Sequence, residues 1–589
     1  MTKKAWFPII FVCQVRLNQH LSNSRIAVVA ARKIFRAYES FNTRFTVITE
    51  RARARFEARD VDGMRLDSRQ RLDLYKGVVD RVEVKVRELL GDRIENEKVW
   101  ASIKAVFSAY SSEREDWDIA ETFFNSVTRR IFSTRGVNED IEFVATDFAT
   151  PPNRSSGLVY RHFNVEGELE VVLQRILNSY HFSKTLRNGE NISVSIADRI
   201  HARLNGSERV AAIDMVKSVF YRDGRAYLIG RAFTESETVP IAIVLQAQSE
   251  STSVEAVLLY ENELSILFSF TRSYFHVLAN CPNQLVRFLE SILPAKRVAE
   301  LYISIGFNKH GKTEMYREVL GQLGRTSELF YLAPGDRGMV MRVFTMPDYD
   351  LVFKIIKDRF DPPKTTTPKI VREKYQLVFR HERVGRLVDA QEFENLKFDR
   401  HRFDETLLTE LQNVASRNIS VEGDHVYIHH VYIQRRVQPL NILARSDIDV
   451  DRLSRIVLDF GHAIKELARS NIFPGDLFLK NFGVTRHDRV VFYDYDELDE
   501  VMELNFRKMP RASTYDEEMQ AEPWFAVAEE DVFPEEFLQF LGLPDAVRTA
   551  FLDEHADLFS VEFWHEIQTK LSSGTRFDNP PFPAQNMVL

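Results

Sequence analysis

The chain has 589 residues, more than one hydrophobic core ordinarily holds, so two or more domains are expected. Its 44% hydrophobic and 28% charged residues are those of an ordinary globular protein, and a formal charge of −8 with a pI near 6.1 argues against a nucleic-acid surface as its main business. Only Cys13 and Cys281 occur, which rules out a disulfide framework or a cysteine-rich zinc site and makes a reducing, cytoplasmic setting the expectation.

Two lysines and an apolar run over 5–15 open the chain. Pro8 interrupts the run, no small-x-small site ends it, and it is too short to span a bilayer, so it reads as an N-terminal extension with no membrane partner. Over 24–91 Ile34, Phe35, Tyr38, Phe41 and Phe45, then Leu72, Tyr75, Val78, Val79 and Val82, recur at three and four, which predicts two helices with a break at Asp62-Gly63. Interspersed Arg and Glu along them read as solvated outer faces, not as a basic binding patch. A third helical region, rich in core-type aromatics, runs over 99–130.

Past Thr150-Pro151-Pro152 the composition shifts. Helices are expected over 168–181 and 193–204, then a hairpin of 218–221 and 226–232 about Arg222-Asp223-Gly224, further strands over 241–245 and 256–259, and helices over 264–278 and 285–293. His181, His201 and His276 stand singly and read as core or surface residues. Residues 1–310 thus form a mostly helical domain with a small sheet.

The second domain, 311–589, opens near 307–313. A strand at 328–332, the turn Ala333-Pro334-Gly335-Asp336-Arg337-Gly338, a returning strand at 339–344 and a strand at 351–356 bearing Lys354 make a glycine-tipped hairpin followed by a lysine strand. That is the plan of a kinase N-lobe, in which the tip amides lie over the phosphates and the lysine reaches them as a point charge. A helix over 370–388 stands where kinases carry the glutamate that pairs with this lysine, with Glu373, Glu382 and Glu392 all open as candidates. Strands at 425–429 and 431–434 lead to a hinge near 435–439, and a helix over 450–468 delivers the chain to Asp476.

Asn481 follows Asp476 by five positions and Asp494 follows by thirteen more, the spacing of a protein-kinase catalytic loop and its metal-binding aspartate. The first Asp serves the substrate hydroxyl, while Asn481 and Asp494 suit Mg²⁺, a hard ion that takes a few carboxylate and amide oxygens plus phosphate. Lys480 is placed to reach the transferring phosphate. A hairpin of 482–484 and 490–493 about the charged turn 486–489 separates the two acids. Two departures stand out: Pro474-Gly475 replaces the usual His-Arg, and Tyr495-Asp496 the usual Phe-Gly. A helical tail from Asp531 ends in the irregular stretch Pro580-Pro581-Phe582-Pro583.

The strings APGDRGM (333–339), VFKIIKDRF (352–360), VGRLVDAQEFENL (384–396), PGD (474–476) with KNFGVTRH (480–487), VVFYDYDE (490–497) and DVFPEEF (531–537) resemble those of the isocitrate dehydrogenase kinase/phosphatase family, across the whole C-terminal half. The resemblance implies an α+β protein: a mostly helical regulatory domain followed by a bilobal protein-kinase-like domain. It implies a bifunctional enzyme that phosphorylates a serine of isocitrate dehydrogenase and removes that phosphate, switching carbon between the Krebs cycle and the glyoxylate bypass. ATP and Mg²⁺ would be its cofactors, AMP an allosteric effector, and isocitrate dehydrogenase its protein partner; a homodimer is left open. It assigns ATP binding to Ala333, Pro334, Gly335, Asp336, Arg337, Gly338, Met339 and Lys354, the kinase reaction to Asp476, the metal to Asn481 and Asp494, and the phosphatase to Asp389; were Asp389 structural, Asp496 and Glu497 would be the next candidates to activate water. The rival from another class is a non-catalytic, kinase-like nucleotide-binding regulator, favoured by the two departures.

Overall fold

A computed structural model of the chain describes residues 21–144, 157–184, 189–206, 208–269, 274–335, 337–362, 364–380, 385–510 and 525–575, with a few residues of the tail. They fall into two compact units, one reaching Thr326 and taking in tail residues from Phe582, the other spanning 327–581.

In the first unit, Ser22 and Asp60 cap the long helices α1 (Asn23–Glu57) and α2 (Val61–Leu90) by accepting the N–H groups of Arg25 and Gly63. The break therefore lies at 58–60, with Gly63 inside the first turn of α2. The region read as one helix over 99–130 is two, α3 (Glu97–Ser111) and α4 (Trp117–Phe132). Its aromatics interlock as expected of core: Phe41 meets Tyr75 edge-on at 5.2 Å, and Phe107 meets Phe124 at 4.8 Å. An antiparallel sheet follows, ordered β1 (Tyr160–Asn164), β2 (Ala212–Val216), β4 (Arg225–Phe233), β5 (Thr238–Ala247), β6 (Thr252–Leu258), with β3 (Phe220–Arg222) paired to β4 in the expected hairpin. The sequence reading missed β1 and β2, whose pairing joins Tyr160 to Val216 across the intervening helices. The helix expected over 264–278 stops at Leu267; beyond it His276 bridges Tyr221 and lies buried against the Ser68 hydroxyl at 2.9 Å. The tail returns here too, Asn586 donating to Glu263 at 2.6 Å.

The division between units falls after α5 (Asn308–Arg325), not at 310. Gly311 is the reason: a Cβ there would lie 2.6 Å from the Ala299 carbonyl, so the absence of one lets this helix seat on Val298–Ser304.

The second unit has the lobe, hinge and lobe of a kinase. Its larger sheet is ordered β10 (Ala390–Asp399), β12 (His425–Arg435), β9 (Tyr349–Ile356), β8 (Met341–Met346), β7 (Tyr331–Leu332), with β11 (Ile419–Glu422) on β12. Residues 436–437 carry the chain into a second sheet, β13 (Gln438–Pro439), β14 (Phe482–Val484), β15 (Val490–Phe492), which sets the hinge where it was expected. The helix expected over 370–388 ends early, as α6 (Pro368–Arg380). Residues 387–388 are instead extended beside β15, Leu387 bridging Phe492, and 390–399 pair along β12, a long-range partnership no local pattern announces.

Arg386 anchors this arrangement. Only 3% exposed, it makes paired hydrogen bonds to Asp459 (2.6 and 2.8 Å) and to Glu466 (2.9 and 2.8 Å), and it donates to the Val490 carbonyl at 3.0 Å. The two acids stand seven positions apart on one face of α7 (Val450–Arg469), whose other face buries Leu453, Ile456, Val457, Phe460, Ile464 and Leu467. Burial alone would lower the Arg386 pKa, but the carboxylates outweigh it; in turn, the guanidinium holds both acids below the usual carboxylate range against burial. Arg386→Leu removes the paired bonds to both carboxylates, leaving Glu466 the more distant Arg489 (3.6 Å) and Asp459 the Val490 N–H (2.7 Å), and should cost about 3 kcal/mol of stability in urea unfolding. Because both acids titrate lower folded than unfolded, the network's contribution is complete above their ordinary range near pH 4, and the difference from wild type should shrink as pH falls below it.

Candidate active site

The turn after β7 starts with the Ala333 N–H on the Val343 carbonyl (3.0 Å) and then swings through Gly335 at φ 123°, a conformation that favours glycine. The tip comes close to Ile442, just past the hinge: a Cβ on Gly335 would stand 3.6 Å from it. Pro334, Arg337 and Gly338 are exposed, while Ala333 and Met339 are half-buried; Asp336 lies outside the described residues.

Lys354 enters from β9, opposite Val343 on one side and Tyr432 on the other. It is buried, donates to the Tyr493 carbonyl at 2.8 Å and lies 4.8 Å from the centre of the Tyr493 ring. Burial pulls its pKa below the ordinary lysine value, opposed by the charges of Asp494 and Asp496. Glu373 is exposed and pairs with Lys369, Glu392 bonds His430 at 2.9 Å, and Glu382 lies outside the described residues. The acids felt by Lys354 are thus those of the 494–496 turn.

Asp476 and Asn481 are joined by a hydrogen bond, and Asn481 is tied to Tyr493, the residue before Asp494. Buried Asn481 donates from Nδ2 to the Asp476 carbonyl at 3.2 Å, and the Tyr493 N–H donates to the Asn481 carbonyl at 3.2 Å. The Asp476 carboxyl is exposed at its rim yet held above its ordinary range by desolvation and by Asp494, with Lys364 and Lys480 opposing. Asp496 is displaced upward too, by burial and by its charge and hydrogen-bond coupling to Asp494. Lys480 is exposed, its ammonium 5.1 Å from the Phe478 ring.

Lys364 is the member that sequence reasoning missed. From the loop before α6 it forms an ion pair with Glu497 and opposes protonation of both Asp476 and Asp496. A lone lysine in a Pro- and Thr-rich loop carries no local signal of such a position.

Asp389 sits two residues past the Leu387–Phe492 bridge, and Asp494 two residues past it on the neighbouring strand. Its Oδ2 accepts from Gln391 at 2.7 Å. Arg386 is committed to Asp459 and Glu466, so an Arg386 ion pair does not account for Asp389.

Both departures from the kinase text have physical reasons. Gly475 adopts φ 74°, and a Cβ on it would lie 2.6 Å from the Glu497 carbonyl, so the position before Asp476 must be side-chain-free. Tyr495 is fully buried 5.2 Å from Tyr375, and its hydroxyl donates to the Val388 carbonyl, one residue before Asp389.

The donor set suits Mg²⁺. The charge of Asp494 raises the pKa of both Asp476 and Asp496, and Asn481, its Nδ2 spent on a backbone carbonyl, offers a side-chain oxygen.

A glycine-tipped hairpin, a strand lysine, a hinge and an Asp–Asn–Asp assembly define a protein-kinase-like domain. Residues 328–584 match the model of the isocitrate dehydrogenase kinase/phosphatase kinase domain, and residues 31–327 that of its regulatory domain. The chain belongs to the isocitrate dehydrogenase kinase/phosphatase family. It is 44% identical to a protein of that name from Anaeromyxobacter sp. (strain Fw109-5) over 568 residues, covering 96% of this chain and 98% of the relative. A protein of the same name from Xanthomonas euvesicatoria pv. vesicatoria is 41% identical over 565 residues, 95% and 97% of the two chains.

Gly475→Ala should be costly out of proportion to one methyl. The left-handed conformation alone costs about 1–2 kcal/mol, and the clash with the Glu497 backbone adds to it. A lowered melting temperature is expected, whereas melting within experimental error of wild type would mean the loop relaxes freely.

Proposed function

We propose that this chain is a bifunctional protein-serine kinase and phosphatase acting on isocitrate dehydrogenase, so controlling carbon flow between the Krebs cycle and the glyoxylate bypass. The observations that carry the proposal are the hydrogen bond from Asn481 to the Asp476 carbonyl and that from Lys354 to the Tyr493 carbonyl, one residue before Asp494, in a chain of this family. The flanks that favoured a non-catalytic regulator are accounted for by Gly475 and Tyr495.

In the kinase direction, the 333–339 turn covers the phosphates of ATP with backbone amides, and Lys354 supplies a fixed positive charge beside them. Asn481 and Asp494 would hold Mg²⁺, which would supply positive charge against that developing on the phosphates. Asp476 accepts or orients the proton of the serine hydroxyl; Lys364 and Lys480 oppose the upward shift that burial and Asp494 impose on it, and so favour the anionic form that task needs. Lys480 also stands four residues on, where it can attend the transferring phosphoryl group. In the phosphatase direction Asp389 orients and deprotonates water at the phosphoserine. AMP acts as the allosteric effector.

Lys354→Met should lower phosphoryl transfer by about a hundredfold or more, read as label passing from ATP to isocitrate dehydrogenase; wild-type turnover would remove Lys354 from the chemistry. Asp389→Ala should lose release of phosphate from phospho-isocitrate dehydrogenase while keeping substantial kinase activity, and Asp476→Ala should lose kinase activity. If Asp389→Ala dephosphorylates at the normal rate, the water-activating group lies elsewhere.

A further inference from the structure

The interspersed charges of α1 and α2, expected to be solvated outer faces, are sorted by the fold. Arg32, Lys33, Arg36 and Arg44 of α1 and Arg81 and Lys85 of α2 line one groove of about 570 Å³ between the two helices. The ion pairs of the carboxylates nearest them in sequence are with other cations: Glu39 faces Arg114 at 3.9 Å, Asp80 pairs with Lys76 (2.8 Å) and Arg130 (3.0 Å) and feels Arg81 only at longer range, and Glu83 pairs with Arg87 (2.6 Å). Among the described residues no carboxylate comes within ion-pair distance of the six groove cations. Val29, Ala37, Val78 and Val82 line it as well, Val29 the most exposed of the three valines.

Six like charges around one concavity repel one another, and on a chain of net charge −8 they are the reverse of the average surface. An occupant with several negative charges in a small volume removes that repulsion, and the volume is that of a small-molecule site. Arg guanidinium forks suit phosphate oxygens, and the valines suit an apolar appendage. The overall negative charge disfavours a large polyanion, whose remainder would face repulsion outside the groove. We propose that the α1–α2 groove binds a small, multiply phosphorylated molecule, at a site separate from the kinase-like cleft.

The test is calorimetric titration of the full chain with inorganic tripolyphosphate at low ionic strength, without Mg²⁺. The variants are Arg36→Gln/Arg81→Gln/Lys85→Gln, in which all three side chains are exposed, and Lys354→Met in the other unit. The groove variant should raise Kd by about tenfold or more, and Lys354→Met should leave this binding event unchanged. Orthophosphate should bind more weakly than tripolyphosphate. The groove variant should melt at or above the wild-type temperature, since it loses only repulsion, so weaker binding cannot be ascribed to misfolding. Affinity within about twofold of wild type in the groove variant overturns the proposal, as does a loss that follows Lys354→Met alone. Sedimentation with phosphatidylserine vesicles that the groove variant abolishes, without tripolyphosphate binding by wild type, overturns it in favour of a lipid surface.

Discussion

A guanidinium withdrawn from water must be fully compensated where it is placed, and Arg386 is the group on which the kinase-like unit turns. Asp459, Glu466 and the Val490 carbonyl satisfy it from α7 and β15. Its backbone carbonyl receives the Phe492 N–H at 2.7 Å, and the Val388 N–H reaches the Phe492 carbonyl at 3.1 Å. One buried cation therefore fixes the 386–389 segment against the strand that ends near Asp494. Asp389 and Asp494, more than a hundred residues apart in sequence, leave the same short bridge two residues beyond it.

The second constraint is crowding of negative charge. Asp476, Asp494, Asp496 and Glu497 come from one stretch, and protonation of Asp476 and Asp496 is favoured by burial and by Asp494. Two lysines from different elements offset this charge, Lys354 from β9 and Lys364 from the loop before α6. The chain thus leaves a surplus of acid where the proposed chemistry needs a divalent cation, and it keeps Asp476 nearest to solvent, where a protein substrate would present its hydroxyl. On the proposed function one site both transfers a phosphoryl group and hydrolyses one, which calls for a second acid, and Asp389, two residues past the bridge to Phe492, is the residue proposed for it.

Departure from a familiar motif is informative when geometry explains it. Gly475 permits a backbone approach to Glu497 that any side chain would block, and Tyr495 gains over phenylalanine a hydroxyl that bonds the Asp389 segment. The unusual residues beside the two acids of the motif are thus the ones that tie those acids to the rest of the cleft.

The amino-acid sequence alone determined the periodic helices, the β3–β4 hairpin, the glycine turn before a lysine strand and the spacing of Asp476, Asn481 and Asp494, because each rests on contacts within a few residues or on the fixed reach of a loop. It also carried the family strings. Tertiary structure alone decided that residues 387–388, expected at the end of a helix, are extended beside β15, since that pairing outweighs helical periodicity there. It placed Lys364 among acids more than a hundred residues away. It also sorted the alternating charges of α1 and α2 into a groove of cations with their acids elsewhere. Those outcomes depend on which faces of separate elements meet, and a charge or a hydrogen-bonding strand edge does not carry the address of its partner in its own neighbourhood.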